Sequence, residues 1–238
     1  MKIISWNCNM AFRKKSKAIL DLSPDILVVQ ECEHISKYKE HELISASNQF
    51  IWIGENLNKG IGIFSFNEYQ IKLSDTYSDR YKYIIPLEVS GDKNFNLFAI
   101  WAMPDKMQKA TSYIGQIWQS IEYYKDELNK SSVLIGDWNS NQIWDKKRKV
   151  GNHTQTVDKL KKQQIQSLYH TIHKVKHGEE NDPTLYLTKN IKKPYHIDYC
   201  FASTELITEE TTVQIGTYED WIRLSDHMPL IVDNIALS

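Results

Sequence analysis

Short stretches dense in β-branched and aromatic residues recur from one end of the chain to the other, bounded by polar or turn-forming residues, as strands are. They cover residues 2–6, 26–30, 50–53, 60–66, 81–89, 94–102, 132–135, 196–201, 211–215 and 228–232. In Ile26-Leu27-Val28-Val29 every position is apolar, the pattern of a strand covered on both faces. Asn94-Phe95-Asn96-Leu97-Phe98 alternates instead, with the period of 2 that turns one set of side chains inward. Helical patterns lie between the strands. One spans residues 12–22 and stops before Pro24, as helices do. A longer one, 108–128, carries Tyr113, Ile114, Ile117, Ile121 and Leu128. A third, 154–168, has Thr154 as N-cap and Val157, Leu160, Ile165 and Leu168 as its buried stripe. Many strands with few helices call for an α/β layered fold, sheets packed together with helices outside. No repeat or proline/glycine linker divides the chain, so residues 1–238 are read as one domain.

A hydrophobic content of 41% and a charged content of 25% belong to an ordinary globular protein. A core of this size needs neither disulfides nor structural metal. No apolar run approaches the length of a membrane span. The opening MKIISWNCNM lacks the apolar core and cleavage site of a secretory leader. Cys8, Cys32 and Cys200 show no C-x-x-C spacing and read as reduced core residues, so a cytoplasmic address is expected.

Net charge is −1, which excludes a global positive field for nucleic acid. Lysine and arginine nevertheless bunch at Arg13, Lys14, Lys15 and Lys17, at Lys146, Lys147, Arg148 and Lys149, at Lys159, Lys161 and Lys162, and at Lys189, Lys192 and Lys193. Each cluster alone is a solvated face.

Acidic and amide residues gather at strand ends. Asn7 ends the first strand and Glu31 the second; Asp137 and Asn139 follow Val133-Leu134-Ile135-Gly136. Asp198 interrupts an otherwise apolar run, and Asp226 and His227 precede the last strand. A carboxylate within an apolar strand is costly unless paired or bound to metal. Hard oxygen donors without cysteine suit Mg²⁺ or Mn²⁺. Singly, each residue has a plain explanation as a turn former or strand-end charge. Their order along the chain points further.

Ser5-Trp6-Asn7, Val29-Gln30-Glu31, Gly60-Ile61-Gly62-Ile63-Phe64-Ser65, Gly136-Asp137-Trp138-Asn139, His196-Ile197-Asp198-Tyr199 and Ser225-Asp226-His227-Met228-Pro229 succeed one another. This series resembles the W-N, Q-E, G-x-A-I-F-S, G-D-x-N, x-I-D-Y and S-D-H-x-P motifs of the endonuclease/exonuclease/phosphatase superfamily, with glycine for the usual alanine in the third. The S-D-H-x-P match is the most specific, and the resemblance runs through most of the chain.

The resemblance implies a four-layer α/β sandwich, two packed mixed β-sheets flanked by helices. It also implies a divalent-metal-dependent phosphodiester hydrolase using Mg²⁺, with Mn²⁺ able to substitute. Glu31 would bind the metal, helped by Asn7 and Asp226. Asp137 would orient or deprotonate the attacking water, and Asn139 would bind phosphate. His227, held by Asp198, would hydrogen-bond a phosphoryl oxygen or move a proton. Which of Asp137 and the Asp198–His227 pair is the base stays open at this point.

Trp101-Ala102-Met103-Pro104 resembles the H-x-x-P of deoxyribonuclease I-like members, with tryptophan for histidine; exonuclease III-like members put tyrosine there. Tryptophan offers one donor and no titratable proton, so Trp101 is either an N–H ligand of phosphate or a space filler. A substitute is offered by Asn152 and His153, just before a helix, where free N–H groups favour anions. Basic clusters border the motif-bearing segments, as do the aromatics Trp138, Trp144, Tyr195 and Trp221. Tyr195 is the candidate among them for stacking on a base. A nucleic-acid substrate is therefore expected, against hydrolysis of small or lipid phosphates and against a non-catalytic nucleic-acid-binding module. Protein partners are not indicated.

Overall fold

The structure, a computed structural model, describes residues 1–38, 43, 46–92, 94–105, 112–146 and 150–235. The doubly apolar strands find both faces covered. The first sheet comprises β1 (Ile3–Asn7), β2 (Ile26–Cys32), β3 (Gln49–Asn56), β4 (Lys59–Ser65), β13 (Thr212–Ile215) and β14 (Leu230–Asp233), in the order β13-β14-β1-β2-β4-β3. The second comprises β5 (Gln70–Leu73), β6 (Ile84–Ser90), β7 (Phe95–Trp101), β8 (Ser132–Asp137), β9 (Ile165–Ser167) and β12 (Asp198–Ser203), in the order β5-β6-β7-β8-β12-β9. Both are mixed: β1 runs parallel to β2 and β7 to β8, while β1 pairs antiparallel with β14 and β8 with β12. A hairpin-like pair, β10 (Leu185–Tyr186) and β11 (Pro194–Tyr195), stands apart.

Alternation along each strand divides the core into layers. Ile3, Val28, Ile61 and Ile63 meet Leu97, Ala99, Val133, Ile135 and Cys200 between the sheets. Their neighbours Ile4, Trp6, Leu27 and Val29 turn outward against Phe12, Ile19 and Trp221. On the other side Phe98, Ile100, Leu134, Tyr199 and Phe201 pack on Ile114, Ile117 and Ile121 of the helix Ile114–Tyr123. The result is the helix–sheet–sheet–helix sandwich that the motifs implied. With Ile135 fully buried, Ile135→Ala would cost about 2–5 kcal/mol.

Several boundaries differ from the sequence reading. The pattern at 12–22 resolves into a single turn of 3-10 helix, Phe12–Lys14, and a short helix, Ser16–Leu20. Of the pattern at 108–128, residues 108–111 lie outside the described residues; the rest forms the helices Ile114–Tyr123 and Lys125–Leu128. The pattern at 154–168 is three elements. A helix, His153–Lys162, is capped by Asn152 rather than Thr154. Gln164 then takes a left-handed φ of 59°, β9 pairs with β12, and Leu168–His173 forms a new helix. Ile165 and Leu168 are buried either way, which is why helical spacing mimicked one continuous stripe.

Candidate active site

The strand directions bring the chemistry to one place. β1, β2 and β8 deliver Asn7, Glu31 and Asp137 at their C-terminal ends. Asp198 begins β12 directly opposite Asp137, and Trp101 pairs with Asp137 from the other side. Asp226 and His227 lie just ahead of β14, the neighbour of β1. Both sheets therefore contribute to a shared edge.

Local backbone features aim these side chains. A bulge between Gln30 and Cys32 gives Glu31 a φ of 59°, interrupting the alternation. Gln30, ahead of the bulge, keeps the inward phase of Ile26 and Val28, and its amide donates to Ser5 Oγ at 3.0 Å and to the Ile100 carbonyl at 3.1 Å, tying the sheets together. Glu31 is left at the rim, its side chain 20% exposed. At Gly136 a Cβ would lie 1.9 Å from the Ile100 carbonyl oxygen, so only glycine lets β8 approach β7 there. Ser225 Oγ donates to the Asn7 carbonyl at 2.7 Å and accepts from the His227 N–H at 3.0 Å. Trp6 Nε1 donates to the His227 carbonyl at 2.9 Å. The W-N and S-D-H segments are thereby locked to each other.

Asp137 is fully enclosed and accepts from Asn7 Nδ2 at 3.1 Å, Asn139 Nδ2 at 3.0 Å and the Asn139 N–H at 2.9 Å. Burial, and after it the neighbouring Asp198, raises its carboxyl to about 7, against the opposing pull of His227, Asn7 and Asn139. His227 Nδ1 lies 2.9 Å from Asp198 Oδ2. Burial would lower that imidazole, but the charge and hydrogen bond of Asp198, with Asp137 and Asp226 behind them, raise it to about 10. Donor atoms of Asp137, Asp198 and His227 all lie within 4.8 Å of one another, a group able to hold a metal ion. It can also exchange protons near neutrality and present a cation to an anionic substrate.

Residues 4–227 match the model of the endonuclease/exonuclease/phosphatase family. The chain belongs to that family. No protein of curated function matches it in sequence. Its fold is similar to that of a 3'-5' exonuclease from Neisseria meningitidis, with a TM-score of 0.69 and 16% identity over 99% of this chain and 100% of that one. An AP endonuclease from Archaeoglobus fulgidus is similar at a TM-score of 0.70 and 16% identity, over 99% and 100% of the two chains. D. rerio TDP2, complexed with single strand DNA product, is similar at 0.63 and 16%, over 98% and 97%.

The other residues expected from the family motifs have varied company. Glu31 faces Lys59, whose Nζ is 3.1 Å from Oε1, and that ammonium also lies 5.2 Å from the centroid of the Trp101 ring. Asp226 Oδ1 accepts from Asn9 Nδ2 at 2.9 Å. Lys15 is bonded to the carbonyls of Cys8 and Asn9; burial lowers its ammonium, against the smaller opposing pull of Asp226 and Glu31. Trp101 is buried, 5.0 Å from the Tyr83 ring between centroids. The expectation for Asn152 and His153 meets a different geometry. His153 has no exposed surface and bonds Ser140 and His177, so its ring is not presented to a phosphate here; Asn152 uses its side chain to cap Gln155. Tyr195 stands against the exposed Trp144, ring centroids 5.1 Å apart. In the basic segment at 13–17, Arg13 pairs with Glu33 and Lys17 with Asp21. Residues 147–149 lie outside the described residues, while Lys189, Lys192 and Lys193 are exposed.

Sequence reading passed over Asn9, Lys59 and Asn141, and placed Lys15 only within a basic cluster. Asn141 bonds the His196 carbonyl at 2.8 Å, supporting the turn into Asp198. Only its spacing after Asn139 hinted at it.

Proposed function

We propose that this protein is a divalent-metal-dependent phosphodiester hydrolase acting on nucleic acid, DNA or RNA, with residues 1–238 forming one catalytic domain. The buried Asp137–Asp198–His227 group, clamped by the amides of Asn7 and Asn139, carries the reading. Burial first, and then the neighbouring Asp198, raises the Asp137 carboxyl to about 7; two carboxylates enclosed this closely suit a bound cation. Glu31 and Asp226 add hard oxygen donors at the rim and Asn7 an amide, a donor set that favours Mg²⁺ with Mn²⁺ substituting. Bound there, such an ion would neutralise phosphoryl charge and acidify its water.

The remaining roles fall to the chain itself. Asp137, enclosed beside Asp198 and held by the amides of Asn7 and Asn139, is placed to take a proton from the attacking water. Asn7 and Asn139 orient it; Asn139 Nδ2 donates to both Asp137 and the Ala102 carbonyl, each at 3.0 Å, so it serves phosphate only by exchanging one of these bonds. His227, kept cationic by Asp198, donates to a phosphoryl oxygen and is not itself a metal ligand, which leaves the ion to the carboxylates and Asn7. Trp101 walls the site under Lys59.

Nucleic acid is favoured by the exposed Trp144 beside Tyr195, a platform for base stacking, and by the exposed lysines at 189–193 on the same segment. The D. rerio protein and the Neisseria 3' phosphatase, the latter bound to product DNA hairpin, lend this chain the same substrate class. Among the described residues no helix is long and apolar enough to cross a membrane. The buried free cysteines suit a reducing cytoplasm.

The deciding experiment is a substrate panel in Mg²⁺ and Mn²⁺: duplex, single-stranded and abasic DNA, RNA, sphingomyelin and inositol phosphates. Turnover of a polynucleotide that disappears in Asp137→Asn is expected. Preference for phosphorylcholine or inositol compounds, or binding without turnover, would overturn the proposal.

A further inference from the structure

Behind the β8–β12 pair, on the side covered by helices, imidazoles collect away from the Asp137 group. His170 Nδ1 is 2.6 Å from Ser167 Oγ, and its Nε2 is 3.0 Å from Glu180 Oε1. Glu180 also accepts from the Gly178 N–H at 2.9 Å and Asn141 Nδ2 at 3.1 Å. The ring of His177 stacks on that of His170, centroids 3.5 Å apart, and its Nδ1 is 3.1 Å from His153 Nε2. His196, 4% exposed, lies beside them with Nε2 lacking any hydrogen-bond partner among the described residues.

So many imidazoles in partly dry surroundings cannot all be charged. Burial and the neighbouring rings, His170 first, press His177 down to about 2, leaving it neutral. Burial would raise Glu180, but its bonds to His170, Gly178 and Asn141 lower it to about 2, leaving it ionised. Neutral imidazole and carboxylate are the ligand forms.

We infer that His170, His177 and Glu180 form a second metal site, for a transition-metal ion of the zinc class. Their donor atoms lie within 4.8 Å of one another; tetrahedral bonds of about 2.0–2.1 Å would set them roughly 3.4 Å apart. Two nitrogens and one carboxylate select Zn²⁺, Co²⁺ or Ni²⁺ over Mg²⁺. Ser167, Gly178 and Asn141 supply the outer bonds that hold such ligands in orientation. A cavity of about 210 Å³, lined by His170, His177, Ser167 and Val157, provides entry and room for a water as fourth ligand. Parallel rings direct their lone pairs side by side, so binding turns His177 off the stack and breaks its contact with His153. The ion ties the loop after Leu168–His173 to that helix. Through Glu180 and Asn141 the tie continues to the His196 carbonyl, just ahead of Asp198.

The test uses the whole chain, stripped with chelator, dialysed, and kept in millimolar Mg²⁺ to occupy the catalytic centre. Calorimetric titration with Zn²⁺ is expected to show one ion per chain. At a hundredfold excess over Kd, Tm rises by about 5–10 °C. His177→Asn and Glu180→Gln weaken binding by at least about 100-fold, and Ser167→Ala by ~10–100-fold, while Glu31→Gln and Asp137→Asn bind Zn²⁺ as the parent does. X-ray absorption on the parent, expected to show imidazole scattering around zinc, does not depend on any variant folding. Absence of binding, an oxygen-only shell, or binding lost in Asp137→Asn but kept in His177→Asn would overturn the inference.

Discussion

Replacing Asp137 by asparagine removes the proposed base and also a buried charge, and the second effect has a pH signature. Burial and Asp198 hold the carboxyl at about 7, against 3.8 ordinarily. Between those values the folded protein binds a proton that the unfolded chain has released, so stability falls as pH rises through this window. The contribution is complete below about 3.8 and lost above about 7. The difference of roughly 3 pH units, at ~1.4 kcal/mol each, is about 4 kcal/mol. Asparagine cannot titrate. It also forfeits good acceptance from Asn7 and Asn139, at about 1–3 kcal/mol per group left unpaired, but that loss is the same at every pH. His227, raised to about 10, stays charged throughout. Between pH 5 and pH 8 the stability of Asp137→Asn relative to the parent should therefore rise by about 3 kcal/mol. In Tm that is about 5–10 °C for a chain of this size. Thermal unfolding in chelator, with both proteins scanned at each pH, measures it. A variant-minus-parent Tm that stays flat, or that falls towards pH 8, refutes the placement of a strained carboxylate here.

Further outcomes follow from the same geometry. Asp137→Asn should lower kcat by about 10²–10⁴-fold, read on whichever polynucleotide the parent cleaves. Glu31→Gln should raise the Mg²⁺ needed for half-maximal rate, with partial recovery in Mn²⁺; an unchanged metal dependence removes Glu31 from the metal site. Asp198→Asn should drop the His227 ring from about 10 towards its ordinary 6.5, followed by proton NMR. In the parent, stability from that cation is complete below about 6.5 and lost as pH rises through about 10, so the variant should lack this alkaline loss. Lys59→Met frees Glu31 from an ion pair that is partly exposed, so the Mg²⁺ requirement should fall only a few-fold.

How much of this could be read from residues alone depended on how local the cause was. Strands were legible because each apolar run is a local statement about burial, and the sandwich came from the motif series. β9 was hidden because Ile165 and Leu168 continue a helical stripe in sequence, while what ends the helix is the left-handed turn at Gln164. β5 was missed since Gln70-Ile71-Lys72-Leu73 is short, polar on alternate positions and at a sheet edge. Helix 12–22 was overdrawn because apolar spacing cannot register the break at Lys15, whose ammonium is turned towards the Cys8 and Asn9 carbonyls.

Convergence of Asn7, Asp137, Asp198 and His227 follows from their lying at strand ends, and strand ends are visible in sequence. What each touches once there is set by partners distant along the chain. Glu31 meets Lys59 across the β2–β4 ladder, and Trp101 meets the same ammonium. That shared lysine gives Trp101 a physical role apart from hydrogen bonding: an aromatic face under a cation is worth about 0.5–2 kcal/mol, and it keeps Lys59 over Glu31. His153 illustrates the opposite error. Its position before a helix suggested an anion site, yet the N–H groups of His153 and Thr154 already donate to Asp145 at 2.9 and 2.8 Å, and the ring lies inward against Ser140 and His177. Helix N-termini attract anions only where they open to them, and exposure is the quantity a lone sequence does not carry.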